Sequence, residues 1–225
     1  MDGALFVILI IVVAGGAWLA WWLHQRKLEH YTAHAKQLGF TYTPYDRSFL
    51  HHWRGMPLDK NGKISDIFSG VMRGVPVHVF EYSYQKRIDD KNTRTVELVM
   101  TAAQLPVALP ETRILHETAG AKITKFFGAQ DIQFESSAFN DAFLVKGADE
   151  RATHALIDPR MMEFMLHSPV RDFQIRLVDS WVLMWQPEAA FRFDRMKLPE
   201  CVEPLSILIA RFVEHIPKHL LRPRG

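Results

Sequence analysis

Apolar residues follow three rhythms along this chain, and each predicts a different kind of element. The first rhythm is unbroken. Ala4–Leu23 runs for 20 residues without a charge. At ~1.5 Å per residue a helix of that length reaches roughly 30 Å, the thickness of a bilayer's hydrocarbon core. Lipid offers no partner to backbone N–H and C=O groups, so the run must satisfy its own as a helix. The pattern predicts a short extracytoplasmic N-terminus at 1–3 and one transmembrane helix at 4–23. The second rhythm is helical. Leu28, Tyr31, Ala35 and Leu38 make one stripe on a juxtamembrane helix over 24–39, closed by Gly39 as a left-handed cap. That helix either packs its stripe on the following domain as a stalk or lies in the headgroups. The same period is strongest near the C-terminus. Leu205, Leu208, Ile209, Phe212, Val213 and Ile216 predict an amphipathic helix opened by Pro199 and stopped by Pro217. Shorter helices are predicted at Asp46–Trp53, from an Asp149 cap to about Ile157, and from Asp158-Pro159 through Leu166.

The third rhythm alternates and predicts strands. Phe40–Thr43 and Ile64–Met72 are strand-like, and Arg73-Gly74 is a tight turn. Val75–Tyr84 puts Val75, Val77, Val79, Glu81 and Ser83 on one side, and Pro76, His78, Phe80, Tyr82 and Tyr84 on the other. A charged loop over 85–92 leads to a strand over Thr93–Gln104. Leu105–Pro110 reads as a kinked linker, since each proline biases its predecessor away from helix. Thr112–His116 reads as a further strand. Asp131–Glu135 pairs with Phe143–Lys146 around Ser136–Asp141, and Phe173–Leu177 turns at Val178-Asp179 into Ser180–Gln186 as a second hairpin. Ile123–Phe127 is apolar without an assignable period. Local turns between short strands imply an antiparallel sheet. The fold class is therefore α+β: a transmembrane helix, one soluble domain over 40–217 with two or more hairpins and packed helices, and a basic tail at 218–225. Closure of the sheet into a barrel stays open.

Flanking chemistry sharpens the membrane reading. A signal peptide has a basic n-region and a shorter apolar run, whereas here Asp2 precedes the run and Trp18, Trp21 and Trp22 suit a lipid–water boundary. A lipoprotein needs an early cysteine, and the one cysteine is Cys201. Arg26, Lys27 and Lys36 follow the run, so positive charge places the N-terminus outside and the domain in the cytoplasm of the cell membrane. One cysteine excludes an internal disulfide framework and suits a reducing compartment. A net charge of +2 is too balanced to argue for nucleic acid.

Leu38-Gly-Phe-Thr-Tyr-Thr-Pro44, Phe80-Glu-Tyr-Ser-Tyr84, Phe139-Asn-Asp-Ala-Phe143 and Asp158-Pro-Arg-Met-Met162 together resemble an uncharacterised family of single-pass membrane proteins of actinobacteria, a domain of unknown function. The resemblance implies an anchor and a single domain. It implies no activity, cofactor or catalytic residue.

Candidate chemistry is sparse. His30 and His34 share a helix face without a third ligand, His51-His52 point apart, Pro217 separates His215 from His219, and His78 stands alone, so no metal is expected. Cys201 near a helix start invites a lowered thiol pKa, yet no histidine pattern supplies a base, and a structural, half-buried cysteine is the reading. No nucleophile elbow, phosphate loop or dinucleotide turn is present, so neither a catalytic residue nor a cofactor is expected. Glu135, Asp141 and Asp149 have no geometry that sequence can supply. Two surfaces remain. Phe80, Tyr82 and Tyr84 line either a binding groove or a core. Arg26, Lys27, Lys36, Arg222 and Arg224 face lipid headgroups if the C-terminus folds back beside the stalk, or are ordinary solvated charges. Gly16 and Ala20 carry a small-residue spacing of the kind that pairs helices. The expected function is a membrane-anchored module binding a protein partner or lipid headgroups at the inner leaflet. The alternative is a hydrolase-like enzyme on a membrane-derived substrate.

Overall fold

The computed structural model describes residues 3–46, 48, 53, 58, 62–89, 92–116, 131–186 and 198–222. One helix, α1 (Gly3–Gln37), carries the apolar run and the juxtamembrane stripe without a break. Its residues from Phe6 to Leu23 are exposed, and the helix is long and apolar enough to cross a membrane. The stripe below them packs. Ala35 is buried, Tyr31 and Leu38 lie against the core, and the Tyr31 hydroxyl donates to the Leu198 carbonyl at 2.7 Å. This is the stalk arrangement. Gly39, at φ +72°, turns the chain out of the helix as expected.

The sheet is antiparallel throughout. Its strands are β1 (Thr41–Thr43), β2 (Lys63–Met72), β3 (Val75–Arg87), β4 (Thr93–His116), β5 (Phe143–Gly147) and β6 (Gln174–Trp185). β1 to β5 follow one another in order, and β6 lies along the other edge of β4. Arg73 and Gly74, at φ 53° and 80°, form the two-residue turn between β2 and β3. Both left-handed central residues match the twist of a hairpin. Helices α2 (Ser137–Ala142), α3 (Glu150–Leu156), α4 (Pro159–His167) and α5 (Val202–His215) complete the fold. Ser136, Asp149 and Asp158 cap the first three by accepting from backbone N–H groups. α5 begins at Val202 rather than Pro199, because Leu198–Cys201 form a turn.

Three expectations are corrected. Leu105–Pro110 is not a linker: β4 continues through it for 24 residues. Proline's fixed φ suits extended backbone, and the missing N–H groups fall where the β4–β6 register shifts, between Gln104 and Thr112. Val178-Asp179 is not a turn. Asp179 takes φ 51° as a single irregular residue opposite Leu109, and β6 runs on past it as one strand. The segment 131–146 holds one bridge, Ile132 to Val145, and its connection is the helix α2. The readings at Asp46–Trp53 and Ile123–Phe127 lie largely or wholly outside the described residues.

Each face of the sheet carries its own core. On one face Phe68, Val77, Val79, Ala103, Ile114 and Val182 meet α1, α4 and α5. On the other, Ile64, Phe80, Tyr82, Met100, Trp181 and Leu183 pack with Trp53 and Leu58. Trp53 stacks on Phe80 at 5.2 Å and meets Trp181 edge-on at 5.2 Å. Buried sheet faces stabilise by roughly 25 cal/mol per Å² of apolar surface removed from water. The second face then turns ionic, where the Glu111 carboxylate accepts from Arg113 at 2.8 Å and from the buried Arg176 at 3.0 Å.

Candidate functional site

The first core gives way to polar chemistry where α1 leaves the sheet. Lys27 Nζ donates to Asp66 Oδ2 at 2.7 Å, and the Tyr42 hydroxyl donates to Asp66 Oδ1 at 2.6 Å. Asp66 is 6% exposed. It sits at the irregularity in β2 between Ser65 and Phe68 with φ 52°, and its N–H donates to the Pro44 carbonyl at 2.9 Å. A left-handed aspartate costs on the order of 1 kcal/mol, and here the surrounding hydrogen bonds fix it. Tyr31, Tyr42 and Phe68 cluster behind it, edge-on or tilted, with ring centres 5.2–5.6 Å apart.

A cleft of about 330 Å³ opens beside this group. His24 and Lys27 of α1, Lys63 and Ser65 of β2, Glu81 and Ser83 of β3, and Glu97 of β4 share its wall. The register explains the gathering: Lys63 pairs with Ser83, Ser65 with Glu81, and Ser83 with Glu97. All project on the face that farther along carries Val77 and Val79. Burial pushes the Glu81 carboxyl up to about 7, and the neighbouring Asp66 carboxylate adds to this. Lys27 pulls the other way. Hydrogen bonding toward Asp66 works in the same upward direction. Burial and then the bond to Asp66 raise the Tyr42 phenol, and burial pushes Tyr31 up to about 12, so both stay neutral donors. The cleft thus offers a carboxyl that changes state near neutrality, further acids, two lysines and hydroxyls. That set suits hydrogen-bonding to a polar, many-handed group such as a hydroxylated headgroup or a peptide surface.

The residues singled out from sequence scatter. Lys27 is ion-paired with Asp66. Arg26 lies over the Trp22 ring at 4.7 Å. Lys36 is thirteen residues past Leu23 on one continuous helix, roughly 20 Å along its axis. That is beyond the reach of a headgroup layer at the end of the apolar run. Arg222 lines a different cleft, of about 690 Å³, with Val107, Leu109, Pro110, Leu156 and Leu220. Val107 is ten residues along β4 from Glu97, roughly 30 Å. The C-terminus therefore does not fold back to the foot of α1, and the basic set is divided between two ends of the domain. Arg224 lies outside the described residues. Phe80 and Tyr82 are fully buried in the second core and Tyr84 is half-buried against it, so the alternating aromatic side is packing.

Burial pushes the Cys201 thiol up to about 12, because the helix end it occupies is inside the core. Burial pulls His78 down to about 4, and its Nδ1 lies 2.8 Å from Ser69 Oγ. His215 stacks on Phe164 at 3.9 Å while His219 lines the other cleft. Asp149 caps α3, and Glu135 and Asp141 are exposed. Among the described residues no group of three or more His, Cys, Asp or Glu side chains gathers to hold a metal. Asp66, Glu81 and Glu97 were not singled out from sequence. The available signal was Glu81, an acid continuing the stripe of Val75, Val77 and Val79.

The fold matches the crystal structure of the mycobacterial trehalose monomycolate transport factor A, TtfA. The TM-score is 0.54 at 18% identity, covering 86% of this chain and 96% of that chain. At that identity the likeness is one of fold. No family model and no curated protein matches the chain.

Proposed function

We propose that the chain is a membrane-anchored accessory module. Its cleft at the foot of α1 holds polar groups of a lipid headgroup or of a membrane partner, with the domain on the cytoplasmic side. One observation carries this reading. The cleft is built jointly by His24 and Lys27, in the first turn past the apolar run, and by Glu81 and Glu97 of the sheet. A ligand in it lies at headgroup depth once residues 4–23 span the bilayer. Arg26 and Lys27 beyond the run support the cytoplasmic side. The fold neighbour is a trehalose monomycolate transport factor, which supports an accessory role in transport.

A photo-crosslinking amino acid at Lys63, which is exposed on the cleft wall, tests the proposal in cells. The expected product is an adduct with a membrane protein or a lipid, weakened by Lys27→Met. Adducts only with soluble proteins would sink it. Glu81 favours a second reading, since a carboxyl held near pH 7 suits general acid–base work. An enzyme here would turn over an ester or glycoside probe as the purified chain, and Glu81→Gln would abolish the turnover.

A further inference from the structure

The contacts that build the cleft also aim the sheet. Phe40 lies against Gly70, whose partner is Val77. Tyr31 lies against Phe68, whose partner is Val79. Lys27 meets Asp66 beside Glu81, and His24 shares the cleft with Ser83 and Glu97. These four levels run in step, so α1 and β3 lie alongside one another in opposite directions. Following β3 toward its end follows α1 back toward its apolar run.

The hairpin does not stop at the level of His24. β3 and β4 stay paired to Arg87 and Thr93, and the loop closes with Asn92 Nδ2 donating to Asp89 Oδ2 at 2.8 Å. From Ser83 to Ile88 is five residues, roughly 16 Å of strand at ~3.3 Å each. Strand twist could carry the hairpin about 45° off the α1 axis, and it would still rise roughly 11 Å past His24. His24 directly follows Leu23, and a headgroup layer is only ~6 Å deep. The hairpin is therefore more than long enough to set Ile88 in the interface layer beside α1.

Its composition fits that height. Ile88 is 65% exposed, and among the described residues only Tyr45 and Val71 are comparable large exposed hydrophobics outside α1. Among the described residues of the hairpin end, Lys86, Arg87 and Arg94 stand against Asp89. An apolar tip flanked by excess positive charge matches the interface of an anionic leaflet.

We propose that the β3–β4 hairpin is a second membrane contact. It seats Ile88 in the interface of an anionic leaflet and so fixes the rotation of the domain about α1, with the Glu81 cleft turned to the headgroups. The proposal rests on α1 spanning the bilayer, and its test separates the two. The full chain bearing Ile88→Cys, or Val71→Cys on β2 where it pairs with Pro76 at the far end of the hairpin, is labelled with an environment-sensitive fluorophore. Each is reconstituted in vesicles of phosphatidylcholine with phosphatidylglycerol and a lipid-borne quencher. Cys201 is buried and stays unlabelled in the folded chain, which checks the fold of both variants. Flotation of both variants with the vesicles tests the anchor alone; failure to float overturns the spanning helix on which the hairpin contact rests. The expected result is quenching several-fold stronger at position 88 than at 71, reduced in pure phosphatidylcholine and by Lys86→Glu with Arg87→Glu. Equal quenching at the two positions would overturn the hairpin contact. Quenching at 88 that ignores lipid charge would overturn its anionic preference.

Discussion

Asp66 holds together more of the candidate site than any other residue, and little in the sequence marks it. An isolated aspartate in a strand-like stretch reads as a solvated acid. What makes it central is a left-handed backbone and two partners, Lys27 and Tyr42, that lie 39 and 24 positions away. Glu81 was more legible, as an acid on an apolar stripe, but its partner was not. Its chemistry gives a signed prediction. A carboxyl that holds its proton more tightly in the folded chain stabilises the fold fully below the unfolded value of 4.5. That stability is lost as pH rises through about 7. Allowing for its partial exposure, the loss across this window is on the order of 1–2 kcal/mol. Glu81→Gln should flatten the dependence and make the chain the more stable of the two at pH 8, measured by urea unfolding of the detergent-solubilised chain over a pH series.

Elements that rest on local periodicity were legible: the apolar helix, the capped helices at Asp149 and Asp158, the Arg73-Gly74 hairpin and the stripe of α5. Elements shaped by a distant neighbour were not. Pro106 and Pro110 look like breaks until β6 lies alongside and the register shifts absorb them. Val178-Asp179 looks like a reversal until Leu109 stands opposite Asp179. The packing of α1 on the sheet depends on another such meeting, Phe40 over Gly70. A Cβ at position 70 would overlap the Phe40 ring. Gly70→Ala should therefore push Phe40 off the sheet just past the α1 cap and cost about 1–3 kcal/mol. The urea midpoint should fall, whereas Gly16→Ala, with open space around it, should leave the midpoint unchanged.

At the scale of the molecule, an anchored α+β domain was readable because hydrophobic length and alternation are one-dimensional signals. The two-sided sheet was not, since Trp53, read as the end of a short helix, and Leu58 cover its second face from outside any alternating run. The expected cytoplasmic placement yields a topology experiment. Val71 of β2, paired with Pro76 near the start of β3, is 64% exposed at the end of the sheet away from the apolar helix. Val71→Cys should resist an impermeant thiol reagent on intact cells and react after lysis, and labelling of intact cells would reverse the orientation. The length of β4 bears on how such a chain is made. α1 is synthesised first and can enter the bilayer at once, but Met100–Ile114 find their second edge only in β6, which is translated some sixty residues after β4. Until Gln174–Trp185 have left the ribosome, the middle of the sheet is an open, apolar edge tethered to a membrane, a template for pairing with any neighbouring nascent chain.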